Sequence, residues 1–204
     1  GCADDKSNEA TSQQVSLFEQ VTQGCKEERT LANSAGICAW PESHYQWIRP
    51  GLLLYGVSPL SLDTLPKNDV IQKTAEEGDN FDVRPVMTLK SSLIAIRELA
   101  VGETVGYGGA WQSKRKTIIG VVAIGYGDGY PRHAENGTPV LVNGRRVPLI
   151  GRVSMDMITV DLGLHSQDKI GDLVTLWGDN LPVAEIAQWA TTIPYELLCN
   201  ITRR

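Results

Sequence analysis

The side chain best suited to moving a proton is Tyr107, in the run Val105-Gly106-Tyr107-Gly108-Gly109-Ala110-Trp111. A phenol has an ordinary pKa of about 10 and can release or take a proton where its surroundings stabilise the phenolate. The flanking glycines leave it exposed and free to adopt unusual backbone angles. The plainer alternative is a hairpin turn with an aromatic flank. A second set of residues has the chemistry of phosphate binding, which needs converging N–H donors and hydroxyls, often where a helix begins. Ser34 lies between a short extended stretch and a helical one. Gly51 and Leu52 follow Pro50, so their amides can point into a loop, and Tyr195 offers a phenol after Pro194. Each also has a structural reading: a helix cap, a turn glycine and an anchored tyrosine. Arg49 stands before Pro50-Gly51 in an apolar run, where a guanidinium is costly to bury without a carboxylate or carbonyl partner.

These residues fall in an ordered series of segments. They are Leu31-Ala32-Asn33-Ser34-Ala35-Gly36, Ile48-Arg49-Pro50-Gly51-Leu52-Leu53-Leu54-Tyr55-Gly56, the Tyr107 loop, Ala123-Ile124-Gly125-Tyr126-Gly127-Asp128-Gly129-Tyr130-Pro131-Arg132, Gly151-Arg152-Val153-Ser154-Met155-Asp156, and Ile193-Pro194-Tyr195-Glu196. The series resembles the alanine racemases, enzymes that use pyridoxal 5'-phosphate (PLP) to interconvert L- and D-alanine. Each motif is weak alone; their common order is specific and spans nearly the whole chain. The resemblance implies that Ser34, the Gly51 and Leu52 backbone and Tyr195 hold the PLP phosphate. It places Arg49 against the pyridine nitrogen. A guanidinium only donates, so it leaves that nitrogen unprotonated and the ring a weaker electron sink than a carboxylate partner would. That suits a racemase, which must return the proton quickly. Thr30 stands where some family members carry a His against this Arg, which leaves the partner of Arg49 open.

Racemisation removes a proton from one face of the α-carbon and returns one on the other, hence two acid–base groups. The resemblance makes Tyr107 one of them, acting in the neighbouring subunit's site together with Met155, whose amide meets the substrate carboxylate. Tyr126, Arg132 and Arg152 match the entry corridor and its support, and Arg152 is expected to help Tyr107 part with its proton. The second base is the PLP-bearing lysine of a segment that has no match here. Lys6, Lys26, Lys67, Lys73, Lys90, Lys114, Lys116 and Lys169 all lie in polar or charged surroundings. The chain is therefore expected to be the later part of a longer polypeptide, inactive alone, from a cytoplasmic homodimer that supplies D-alanine for peptidoglycan. A related racemase acting on serine or a broader set, and a non-catalytic dimerisation or ligand-binding module, remain alternatives.

Composition narrows the field. The 204 residues carry 42% hydrophobic side chains, enough for a proper core, and a formal net charge of −5. That balance offers no basic footprint for nucleic acid and no basic stripe for a membrane surface. No apolar run approaches the roughly 20 residues that span a bilayer. Cys2, Cys25, Cys38 and Cys199, with His44, His133 and His165, share no metal-type spacing. The cysteines are expected to be reduced and mostly buried.

The elements that must position these residues change character along the chain. Residues 11–25 read as a helix, 30–35 as an extended stretch leading into a helical piece at 36–39, and Trp47–Tyr55 as a strand. Residues 58–82 carry two prolines and many charges, with a possible short helix at 70–77, and read as a connection. Beyond them the signals are β. Strands are expected at 87–97, 118–124, 157–162 and 173–177. Asn143-Gly144 forms a hairpin turn inside 140–147, a helix covers Val183 to Ala190, and a last strand covers 195–201. The implied fold class is α/β plus all-β: part of a (β/α)8 TIM-type barrel in residues 1–80, then a β-barrel-like domain in residues 81–204.

Overall fold

A computed structural model describes residues 2–60 and 83–203. The chain divides into two compact units, residues 1–86 and 87–204. Most of the 58–82 connection, including the short helix expected at 70–77, lies outside the described residues.

The first unit runs α1 (Ala10–Val21), β1 (Thr30–Asn33), α2 (Ser34–Ala39), β2 (Trp47–Arg49) and α3 (Gly51–Leu54). β1 and β2 pair in parallel, the order expected of a strand–helix–strand unit. The helix read at 11–25 stops at Val21, ahead of a left-handed Gly24. Its buried side chains are Thr11 and Val15, while Leu17, Val21 and Cys25 are exposed. The strand read at 47–55 is shorter than expected. It ends at Arg49 because Pro50 cannot donate to a ladder, and the leucines beyond it are good helix formers that close one turn.

The second unit holds β3 (Leu89–Leu99), β4 (Thr104–Val105), β5 (Trp111–Gln112), β6 (Thr117–Val122), β7 (Pro139–Val142), β8 (Arg145–Ile150), β9 (Ile158–Asp161), β10 (Leu173–Trp177), α4 (Val183–Trp189) and α5 (Pro194–Cys199). β10, β3, β6, β9, β8 and β7 close in that order into an antiparallel barrel. Closure is possible because the long β3 serves two neighbours. Its first half pairs with β10 and its second with β6, and a register shift between Leu93 and Ala95 lets it bend. The β7–β8 hairpin turns on Asn143 (φ 49°) and Gly144 (φ 79°), the positive pair that an Asn-Gly turn supplies. Leu93, Leu99, Ile119, Val122, Leu149, Val160, Leu176 and Trp177 fill the core. α4 buries Val183, Ala184, Ile186 and Ala187, and its buried Glu185 accepts both guanidinium donors of Arg146 on β8, at 2.7 and 2.9 Å.

Two expectations fail here. Residues 195–201 do not form a strand; Pro194–Cys199 is α5. Pro194 presets the first helical turn, Glu196 sits where the helix dipole favours an acid, and Leu197 and Leu198 are buried. The cysteines are not mostly buried: all four thiols are free, with Cys25 and Cys199 exposed and Cys2 and Cys38 half-buried. Among the described residues, no helix is long and apolar enough to cross a membrane.

Candidate functional site

In the first unit the candidate residues gather at the C-terminal ends of β1 and β2. Asn33 caps α2, its side chain accepting from the Gly36 amide at 2.9 Å. This cap starts the helix at Ser34, which is 1% exposed. The Ser34 hydroxyl accepts from the Leu53 amide at 3.3 Å, so α2 and α3 meet at their first turns. The opening amides of α3, those of Gly51 and Leu52, belong to a turn whose first N–H groups have no partner within the helix. A buried hydroxyl beside such amides is a donor set suited to an anion. Arg49, at the end of β2, is exposed. It donates from Nη1 to the Thr30 hydroxyl at 2.7 Å and from Nη2 to the Leu31 carbonyl at 3.0 Å. The partner left open by the sequence is thus Thr30 with its neighbour's carbonyl, both neutral.

In the second unit, three loops meet through backbone contacts that leave no room for a side chain. β4 and β5 form a two-stranded arm with the Tyr107–Gly109 turn at its tip. Gly106 has φ 82°, and a Cβ there would lie 2.7 Å from the Arg152 amide nitrogen. That places the arm directly on the Gly151-Arg152 corner. A Cβ on Gly125 would lie 2.2 Å from the Ser154 carbonyl oxygen. There the Tyr126 and Gly127 amides donate to the Ser154 and Met155 carbonyls at 3.0 and 2.8 Å. Tyr107, Arg152, Met155 and Tyr126 therefore come from segments in contact, and all are exposed: Tyr107 by 72%, Met155 by 49% and Tyr126 by 39%.

Nearby Tyr130 is the opposite case. It is buried, stacked on Trp177 with ring centroids 6.1 Å apart, and burial pushes its hydroxyl far above the usual phenol range. Burial thus separates the core Tyr130 from the displayed Tyr126 within one loop region. Arg132 is exposed in the turn that follows, where the Ala134 amide donates to the Pro131 carbonyl. Among the described residues, no hydrogen bond or ion pair ties Arg132 to the Tyr107 arm. Tyr195 lies in the first turn of α5, 42% exposed.

Sequence reasoning missed Asn136. Its side chain accepts from the Gly151 amide at 2.6 Å and so holds the corner against which Gly106 packs. The available signal was the dipeptide Asn136-Gly137, a turn marker passed over. Among the described residues, no three His, Cys, Asp or Glu side chains gather where they could hold a metal ion.

Residues 86–204 match the family model for the C-terminal domain of alanine racemase, and residues 1–59 match that for its N-terminal domain. The chain belongs to the alanine racemase family. It is 55% identical over 204 residues to the alanine racemase of Photobacterium profundum, covering all of this chain and 54% of that protein. It is likewise 55% identical to that of Vibrio cholerae serotype O1, covering 53% of it. Among solved structures, the biosynthetic alanine racemase from Pseudomonas aeruginosa superposes on the whole chain with a TM-score of 0.86 at 43% identity, over 53% of its own length. The Bartonella henselae alanine racemase solved with covalently bound pyridoxal phosphate gives 0.83 at 28% identity, covering 98% of this chain and 52% of its own. The chain thus spans about half the length of the alanine racemases it matches, and it shares the alanine racemase fold, with part of the N-terminal domain followed by the C-terminal β domain.

Proposed function

We propose that this chain supplies the later (β/α)8 barrel elements and the β domain of a PLP-dependent racemase that interconverts L- and D-alanine. The observation that carries this reading is the display of Tyr107. A phenol 72% exposed at the tip of a glycine-guided arm, braced on the Gly151-Arg152 corner, suits a group that serves a ligand outside its own core. In this reading the arm enters the site of a second copy, and the homodimer works in the cytoplasm to feed peptidoglycan synthesis.

The first unit fits the cofactor. The Ser34 hydroxyl and the Gly51 and Leu52 amides match the several acceptor oxygens of a phosphate. Arg49 presents N–H groups to an acceptor nitrogen and cannot yield a proton to it. Bound PLP supplies the electron sink that makes the α-proton of an amino acid acidic. The chain's own residues do the rest. Tyr107 exchanges a proton with one face of the α-carbon, helped to part with it by Arg152, the Met155 backbone amide meets the carboxylate, and Tyr126, Arg132 and Arg152 line the approach. Two arginines near one entrance favour the carboxylate end of an amino acid. The acid–base group for the other face, a lysine, belongs to a further segment of the racemase.

The test is Tyr107→Phe in the full dimer. Racemisation of both alanine enantiomers should fall by about a hundredfold or more with PLP still bound. Turnover like the wild type would remove Tyr107 from the mechanism.

A further inference from the structure

We propose that Thr30 is the positioning residue for Arg49, and that the Thr30 hydroxyl sets the orientation in which the guanidinium meets the cofactor ring. This rests on the assignment of Arg49 to the ring nitrogen made above. A guanidinium is a rigid plane with five N–H donors, and one anchoring bond would leave it free to swivel. Here two different nitrogens are anchored on β1, Nη1 to Thr30 and Nη2 to the Leu31 carbonyl. Two anchors fix the plane, and the remaining donors keep a defined direction.

The geometry needs the irregular register of this strand pair. Thr30 lies opposite Trp47 and Asn33 opposite Arg49, with a shift between them, so the Arg49 side chain runs back along β1 to reach Thr30. Of the two anchors, only Thr30 is a side chain. Its branched Cβ restricts rotation and holds the hydroxyl on the strand face. Both anchors are neutral, so neither cancels the charge that the ring nitrogen meets. A carboxylate in place of Thr30 would.

The experiment compares Thr30→Val, Thr30→Ser and Arg49→Gln in the full PLP-loaded enzyme, reading the PLP dissociation constant, the absorption spectrum of bound PLP and Tm. Valine keeps the shape and removes the acceptor. Thr30→Val should weaken PLP binding about three- to tenfold and move the spectrum in the same direction as Arg49→Gln, with Tm nearly unchanged. Thr30→Ser should restore both. If Arg49→Gln alters affinity and spectrum while Thr30→Val alters neither, or only Tm, the positioning role is overturned and the assignment of Arg49 stands. If Arg49→Gln itself leaves both unaltered, the assignment of Arg49 fails, and the role of Thr30 with it.

Discussion

The two units treat their strand edges in opposite ways. Each barrel strand in residues 87–204 has a ladder partner on both sides, and the apolar faces turn into one core. In residues 1–86, β1 and β2 pair with each other, and among the described residues neither has a second neighbour. Trp47, Ile48, Leu54 and Tyr55 stand exposed around Arg49. Single-sided pairing and exposed aromatic and aliphatic side chains leave this pair without the two-sided ladders and enclosed core of the barrel strands. In the reading proposed above, the closed barrel displays Tyr107 as an acid–base group on a short arm. In the same reading the open pair offers Ser34, Gly51 and Leu52 to an anion and Arg49 to a ring nitrogen, on strand ends and short helices whose order depends on caps and single hydrogen bonds.

This division predicts where damage is greatest. Arg146→Met leaves Glu185 buried without its partner and should destabilise the second unit by about 3 kcal/mol in urea unfolding. The added change Glu185→Gln should recover much of that. A loss below about 1 kcal/mol would mean that α4 is held by its apolar face alone.

Gly106→Ala should cost about 2 kcal/mol, because its φ of 82° is strained for alanine and the new Cβ strikes the Arg152 backbone. In the full dimer the same change should lower kcat and leave PLP affinity intact, since the arm and not the cofactor cradle moves. A fall in PLP affinity alone would contradict the separation of roles.

Asn33→Ala should be the mildest, about 1 kcal/mol, from loss of the α2 cap. Hydrogen exchange should show it as faster opening of the α2 amides with barrel amides unaffected. Spread of that effect into β3 or β6 would show the units to be one cooperative body.

Much of the barrel was legible in advance because its signals are local. Branched apolar runs gave β6, β9 and β10 nearly in place, and Asn143-Gly144 announced the β7–β8 hairpin. The misreadings fell where two local preferences compete. At Trp47–Tyr55 and at 195–201, apolar residues suited a strand, but a proline at the junction opened a helix in each case. Cysteine burial was misjudged because residue type gives only an average tendency, and position on an element decides the individual case.

The sequence by itself determined the family, because residue identity and order along the chain carry that information directly. It also nominated the side chains proposed to bear the chemistry, Tyr107 and Arg49 first among them. Tertiary structure alone decided how they are held: that Arg49 rests on Thr30, that Ser34 joins two helix starts, and that Gly106, Gly125 and Asn136 bring three distant loops into contact. Those relations depend on strand register and on backbone approach across many intervening residues, and no local pattern encodes them.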